Sequence, residues 1–217
     1  MRQRFDTLQA ELKKKIIEMS DLVHTAIKQA LESLKQRDLV LAEKTVAEDK
    51  AINNLEKEIE QLCTHLVATQ QPFASNLRRI VAGYKIISAL ERMGDLAVDI
   101  AKISIRIGPV PLMKPLIDLP AMAEIVIKMI HTAVESFVNE DVELARTLAD
   151  VDHEVDNYYK IIFTELNDLM TRDQTLINQG IYLLLVTRYM ERIGDYCTNI
   201  GEEVIYMELG VRENLNT

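Results

Sequence analysis

Apolar residues recur at steps of three and four along most of the chain, which is the period of amphipathic helices. The pattern predicts a first helix over about 5–35, a second after a polar break at 36–38, and a third over about 76–106. Asp38 is a suitable N-cap for the second helix, and 69–75 is the predicted turn before the third. The apolar stripe of the first helix includes Leu8, Leu12, Ile16, Met19, Val23 and Ile27.

A proline-rich segment at 109–120 interrupts this pattern, because proline does not fit inside a helix. After this segment the earlier pattern starts again. The stretch "HTAVESFV" at 131–138 resembles "HTAIKQAL" at 24–31, and "ERIGD" at 191–195 resembles "ERMGD" at 91–95. The repetition of both apolar and charged positions indicates an internal duplication.

The segment 141–156 likewise resembles 38–53, so the similarity extends over the whole length of each half. We therefore predict an all-α fold of two tandem three-helix bundles related by a pseudo-twofold axis. The predicted first repeat is 1–108, the linker is 109–120 and the second repeat is 121–217.

The overall composition supports helix and excludes several classes of function. Seven glycines and five prolines are too few for an all-β fold with many turns. The formal net charge is −9 and no basic run is present, so nucleic acid is not an expected partner. The longest apolar runs are far too short to span a bilayer, and we expect a soluble, cytoplasmic protein whose Cys63 and Cys197 are buried or half-buried thiols.

Oxygen-bearing side chains recur at helical spacing on the second, third, fifth and sixth predicted helices. Carboxylates four residues apart on one helix face repel each other, by a few tenths of a kcal/mol per pair. The second and third helices of each bundle are antiparallel neighbours, so their rows can face each other. The ten positions, five in each half, are Asp49, Asn53, Glu91, Asp95, Asp99, Asp152, Asp156, Glu191, Asp195 and Asn199.

Facing rows of carboxylates predict a cation site in each half. Each half has four carboxylates and one amide, so the two predicted sites carry the same charge. Oxygen-only ligands favour hard ions such as magnesium, calcium, manganese or iron(III). Zinc would usually bring a histidine or cysteine ligand. The competing interpretation is a solvated acidic face with basic partners such as Arg92, Arg192, Lys85 and Lys102. The duplication of the rows favours the cation site.

Gly94 and Gly194 lie inside these acidic motifs, although glycine costs about 1 kcal/mol relative to alanine inside a helix. One interpretation is that each glycine lets a neighbouring helix approach closely. The other is that each clears space beside the carboxylates for a metal cluster or a partner. The two interpretations are compatible.

Other catalytic or metal chemistry has little support in the sequence. A ferritin-like di-iron centre needs Glu-x-x-His on two helices, but Glu91 and Glu191 are followed by glycine at that position. His24 and His131 correspond between the halves, and we weigh a phosphotransfer histidine against simple packing near the core, which is the better interpretation. No phosphate-binding loop or nucleophile elbow is present, so catalysis is not expected.

The segments "LERMGDLAVDIAKI" (90–103) and "MERIGDYCTNIGEEVIYM" (190–207) resemble the paired signatures of the PhoU family. The upstream segments "AEDKAINNLEKEI" and "DVDHEVDNYYKII" resemble that family's second acidic motif. The resemblance covers nearly the whole chain. It implies a PhoU-like fold and a homodimer.

The resemblance also implies a function. PhoU proteins are cytoplasmic regulators of inorganic phosphate uptake, and they restrain the phosphate-starvation response when phosphate is plentiful. The implied partners are a sensor histidine kinase and the ATPase subunit of the phosphate ABC transporter, which would recruit the protein to the inner face of the membrane. Family members carry multinuclear metal clusters on the acidic motifs.

The family's ligand positions correspond to eight acids here, whereas Asn53 and Asn199 depart from a fully acidic pattern. The number of ions therefore stays open, and so does their identity among iron, zinc, manganese and magnesium. The matching acids are Asp49, Glu91, Asp95, Asp99, Asp152, Asp156, Glu191 and Asp195.

We expect a metal-binding adaptor without enzymatic activity. The alternative is a carboxylate-bridged metal-dependent enzyme or a metal-storage bundle that uses the same residues, which would need an open coordination position. A third hypothesis is a dimeric scaffold with salt-bridged acidic faces and no metal.

Overall fold

The computed structural model describes residues 2–216, and the side chains of residues 5–216. In this part of the chain the regular structure is entirely helical, with six long α-helices and a single 3₁₀ turn at Gln174–Leu176. The helices are α1 (Arg2–Gln36), α2 (Leu39–Gln70), α3 (Ala74–Ile107), α4 (Asp118–Asn139), α5 (Val142–Arg172) and α6 (Ile177–Leu209). None of these described helices combines the length and the apolar character that a bilayer crossing requires.

Equivalent aspartates begin the second helix of each repeat. The Asp38 carboxylate accepts a hydrogen bond from the Leu41 N–H at 3.0 Å, which confirms the predicted N-cap. The Asp141 carboxylate accepts one from the Leu144 N–H, also at 3.0 Å. Each bond satisfies a backbone donor that has no partner within the helix. The duplication therefore reproduces the turn as well as the helices.

Two boundaries differ from the prediction. The turn between α2 and α3 is shorter than 69–75, because the helices extend to Gln70 and resume at Ala74. The proline-rich segment ends earlier than residue 120, because α4 begins at Asp118 and contains Pro120 in its first turn. A first-turn N–H has no helical acceptor, so the missing N–H of proline costs nothing there.

The helices form two bundles, as predicted: α1 to α3 pack together, and α4 to α6 pack together. The bundles meet through α3 against α6 and, less extensively, through α1 against α4. Within the described chain, α2 and α5 pack only against elements of their own repeat, and thus lie on the outside. Cys63 and Cys197 are both buried, and burial raises the pKa of the Cys63 thiol to about 11.

An ion-pair network without an internal repeat also holds the two bundles together. Arg79 on α3 contacts Glu140 at 2.7 Å and Glu208 at 3.1 Å. Lys13 on α1 adds a 2.8 Å ion pair to the same Glu140. Burial opposes ionisation of Glu140, but these two cations outweigh it and lower its pKa. The network fixes one end of the contact between the bundles.

Glycine at position 201 permits a close approach between the backbones of α6 and α5. A Cβ there would lie 2.9 Å from Leu148 Cδ1 and 3.1 Å from the backbone oxygen of Ala145. At Gly83 the nearest atom is a flexible side-chain end, Leu12 Cδ2 at 3.1 Å. We expect Gly201→Ala to lower the free energy of unfolding by about 1–3 kcal/mol, because a backbone carbonyl cannot move aside locally.

Gly83→Ala is the matched control, since it gives the same gain in helix propensity against a side chain that can adjust. We expect its free energy of unfolding to stay within about 1 kcal/mol of the parent. Urea denaturation of both variants measures the difference. Equal stability of the two variants would contradict the close approach at Gly201.

Candidate functional site

The interface between α5 and α6 contains the more buried group of acids. Asp152 on α5 is only 6% exposed, and an added Cβ at Gly194 on α6 would lie 3.0 Å from its Oδ1. Asp156, Glu191 and Asp195 are partly buried on the same two helices. These four acids form the second acidic cluster. Gly194 lets a carboxylate of α5 rest against the backbone of α6, which supports the interpretation that this glycine permits a close approach between the helices.

Electrostatic repulsion couples the acids of the second acidic cluster. Burial, followed by the charges of Asp195 and Asp156, raises the pKa of Asp152 to about 6. Burial also raises the pKa of Glu191 to about 6, with Asp195, Asp156 and Asp152 acting in the same direction against the opposing effect of Arg188. Burial and the neighbouring carboxylates thus make ionisation of Asp152 and Glu191 less favourable.

The interface between α2 and α3 carries the corresponding group in the first repeat. Burial, followed by the charge of Asp95, raises the pKa of Asp49. Burial and Asp95 likewise raise the pKa of Glu91. An added Cβ at Gly94 would meet Ile52 Cδ1 at 3.0 Å and Asp49 Oδ1 at 3.7 Å. We define the first acidic cluster as Asp49, Asn53, Glu56, Glu91 and Asp95.

Glu56 belongs to this cluster and was not predicted. Burial, followed by the charges of Glu91 and Glu60, raises its pKa. It lies seven residues after Asp49, which places it about 20° around the helix and hence on the same face. The i+7 spacing could have revealed it. The second repeat has Tyr159 at the equivalent position. Glu56 is therefore not a duplicated acid, and a search for acids present in both repeats does not detect it.

Two predicted positions lie at the edges of the acidic rows. Asp99 pairs with Lys102 at 3.2 Å. It is not among the charges that shift the pKa of Asp49 or Glu91. Asn199 is exposed and lines a groove between α3 and α6. The structure thus brings the other eight predicted residues into the two clusters and leaves these two outside them.

The buried oxygens of each cluster are incompletely satisfied. Asn53 Nδ2 donates to Asp49 Oδ2 at 2.7 Å, but Asp49 Oδ1 is buried without a hydrogen-bond partner. Glu191 Oε2 is also buried without a partner, although Arg188 contacts its other oxygen. A buried carboxylate oxygen without a donor is costly. Each of these two oxygens therefore needs a proton, a water molecule or a cation as a partner.

The basic side chains near the clusters satisfy them only in part. Arg92 lies 3.5 Å from Glu91 and 3.4 Å from Asp95, with its side chain 58% exposed. Arg192 contacts the hydroxyl of Tyr196 at 3.4 Å. Lys85 forms an ion pair with Glu203 at 2.7 Å and therefore does not neutralise the carboxylates of the acidic rows. The salt-bridged alternative accounts for the exposed rim but not for the buried oxygens.

The oxygen atoms of each cluster are of the ligand type that a hard cation prefers. They are oxygen ligands from two helices, they repel one another, and each cluster holds an unsatisfied buried oxygen. Within residues 5–216, however, no three His, Cys, Asp or Glu side chains converge closely enough to hold an ion by themselves. Water ligands would therefore have to complete the coordination of any ion held by these residues.

Known proteins share both the repeat and the fold. A sequence profile of the PhoU domain matches residues 16–104 and again residues 119–204. The chain belongs to the PhoU family. The first match lies within α1 to α3 and the second within α4 to α6, so each three-helix bundle is one PhoU repeat.

Curated relatives of this PhoU chain include two proteins named "Phosphate-specific transport system accessory protein PhoU homolog". The one from Clostridium acetobutylicum is 35% identical over 216 residues, which cover 99% of each chain. The one from Aquifex aeolicus is 38% identical over 200 residues, which cover 92% of this chain and 90% of the relative.

Two crystal structures share this PhoU fold. PhoU from Pseudomonas aeruginosa superimposes with a TM-score of 0.89 at 32% identity, covering 95% of this chain and all of that one. The phosphate transport system regulatory protein PhoU from Streptococcus pneumoniae also gives 0.89, at 31% identity, covering 96% and 99%. These structures confirm the predicted all-α class and the expected PhoU resemblance.

Proposed function

We propose that this protein is an accessory regulator of the phosphate-specific transport system. The observation that carries the proposal is the pair of acidic clusters, one on each outer helix interface of a duplicated PhoU fold. Relatives that match the chain over nearly its whole length bear the name of accessory proteins of that system. The regulation we propose is restraint of phosphate uptake and of the starvation response when phosphate is plentiful.

The protein acts as an adaptor in this proposal and not as an enzyme. Its acidic faces would dock on the ATPase subunit of the phosphate ABC transporter and on the sensor histidine kinase. The positions of α2 and α5 support docking, because both helices lie on the outside of the described structure and leave the clusters near the surface. We further propose that the protein is a homodimer and works on the cytoplasmic side of the membrane.

Metal ions complete the docking faces in this proposal. A hard cation, when bound, supplies positive charge that offsets the mutual repulsion of the carboxylates. Asp49, Glu91 and Asp95 would hold it in the first repeat. Asp152, Asp156, Glu191 and Asp195 would do so in the second. Asp99 and Asn199 remain predicted ligands at the edges of the rows.

Reversing the charge of Glu91 and Asp95 tests the proposal. We expect the Glu91→Lys/Asp95→Lys variant to lose the metal of the first repeat and to relieve repression of a phosphate-responsive reporter in phosphate-rich medium. Elemental analysis of the purified variant, pull-down of the transporter ATPase and the kinase, and the reporter measure the three effects. Helix content by circular dichroism confirms that the variant folds.

The matched control is Glu43→Lys/Glu48→Lys, which makes the same charge change at two exposed positions of α2. We expect this control to keep its metal and to repress normally. Full metal content together with normal repression in the Glu91→Lys/Asp95→Lys variant would refute the proposal. Loss of metal with intact repression would separate the metal from the regulatory function.

A further inference from the structure

His24 and His131 are in contact where α1 meets α4. Their ring centroids lie 5.0 Å apart, and the ring planes are inclined by 80°. The two residues occupy equivalent positions of the duplicated "HTA" motif. Contact between equivalent residues means that the internal pseudo-twofold axis passes between the rings. His24 is half-buried and His131 is exposed, so solvent reaches the pair.

The spacing of the rings suits a shared metal ion. With a metal–nitrogen bond of about 2.0–2.1 Å, each ring centroid would lie about 3.2 Å from the ion. Two centroids 5.0 Å apart then subtend an angle of about 100° at the ion, close to the tetrahedral value. Rotation about χ2 turns a ring nitrogen toward the ion with little displacement of the centroid, and the χ2 distribution of histidine is broad.

We propose that His24 and His131 form a transition-metal site that bridges the two repeats. Imidazole nitrogens select nickel, copper or zinc over the hard cations that carboxylates prefer. Burial, followed by the neighbouring His131, lowers the pKa of His24, which favours the neutral ring with a free lone pair. Within the described side chains, no third His, Cys, Asp or Glu joins the pair, so water fills the remaining positions.

This site is separate from the acidic clusters in both position and chemistry. The clusters lie between α2 and α3 and between α5 and α6, whereas the histidines join α1 to α4. An ion at this site would strengthen the less extensive of the two contacts between the bundles. The inference does not depend on the proposed function, because a two-histidine site can bind metal whether or not the protein regulates transport.

Nickel binding in excess magnesium tests the proposal, because magnesium occupies oxygen sites and competes poorly for imidazole. Isothermal titration of the full chain is expected to show one nickel ion per chain. His24→Gln and His131→Gln should each weaken this binding by at least about tenfold. His131 is exposed, so its replacement leaves the core intact even if His24→Gln perturbs the α1–α4 contact.

The chain provides its own controls. His65 is exposed on α2, whereas the pair lies on α1 and α4, and His65→Gln should bind nickel like the parent. An Asp152→Asn/Asp195→Asn variant should also keep the site, whereas loss of nickel in that variant would assign the ion to the acidic cluster. Nickel should raise the melting temperature of the parent but not that of His131→Gln. Undiminished nickel affinity in His131→Gln would overturn the proposal.

Discussion

Replacing Asp152 by asparagine is expected to stabilise the metal-free protein at neutral pH, although the change removes an ionised side chain. Burial, followed by Asp195 and Asp156, raises the pKa of Asp152 from an ordinary 3.8 to about 6 in the folded state. At pH 7 the native protein therefore holds a charge that the unfolded chain accommodates more easily. Asparagine keeps the shape of the side chain without that charge.

The pH dependence gives the sign of this effect. Between pH 4 and pH 6 the native state binds more protons at Asp152 than the unfolded state does. The favourable contribution of Asp152 is complete below its unfolded pKa and is lost as the pH rises through about 6. We therefore expect the advantage of Asp152→Asn to be small near pH 4 and to grow to about 1–3 kcal/mol above pH 7.

Urea denaturation in the presence of a chelator, at several pH values from 4 to 8, measures this difference. Asp150→Asn is the matched control, because it removes the same charge from an exposed position two residues earlier on α5. We expect the free energy of unfolding of the control to follow the parent at every pH. An advantage of Asp152→Asn that does not change with pH would show that ionisation of Asp152 is not the cause.

The sequence was sufficient to predict the helices and the two acidic interfaces, because both depend on regular periods. Apolar residues at helical spacing must be buried together, and acids on the buried edges of neighbouring helices must then face one another. Even the Asp38 cap follows from local chemistry alone, since the side chain acts on its own helix. Such features need no knowledge of the tertiary arrangement.

The edge residues show where a simple spacing rule fails. Asp99 follows Glu91 by eight residues, and Asn199 follows Glu191 by eight. With 3.6 residues per turn, a step of eight rotates a side chain by about 80° around the helix. A step of eight therefore moves both residues to the edge of the interface, where Asp99 pairs with Lys102 and Asn199 lines the α3–α6 groove. A step of seven would have kept them on the interface.

Contacts between the repeats depend on how the bundles pack, and no period in the sequence predicts them. The Arg79–Glu140–Glu208 network has no equivalent in the other half, so the duplication gives no signal for it. The His24–His131 contact does join equivalent residues, but the correspondence alone cannot show that they meet. Both observations require the position of the pseudo-twofold axis, which is a property of the tertiary structure.

Metal is expected to reverse the stability order of the parent and Asp152→Asn. Without metal, burial of the Asp152 charge and its repulsion by Asp195 and Asp156 destabilise the parent. A bound cation turns the same charges into favourable ligands, and binding to the native state at a hundredfold excess over Kd adds about 2.7 kcal/mol. Asp152→Asn lacks one of the charges that we propose to hold the ion, so it should gain much less from the same ion.

Urea denaturation of both proteins and of Asp150→Asn, with chelator and then with saturating manganese, reveals the reversal. We expect the parent and Asp150→Asn to gain stability together and to overtake Asp152→Asn. A scaffold with salt-bridged acidic faces predicts instead that Asp152→Asn keeps its advantage whether or not manganese is present. The two hypotheses thus differ in the sign of one measured difference, and that sign decides whether the buried oxygens of the second acidic cluster serve a cation.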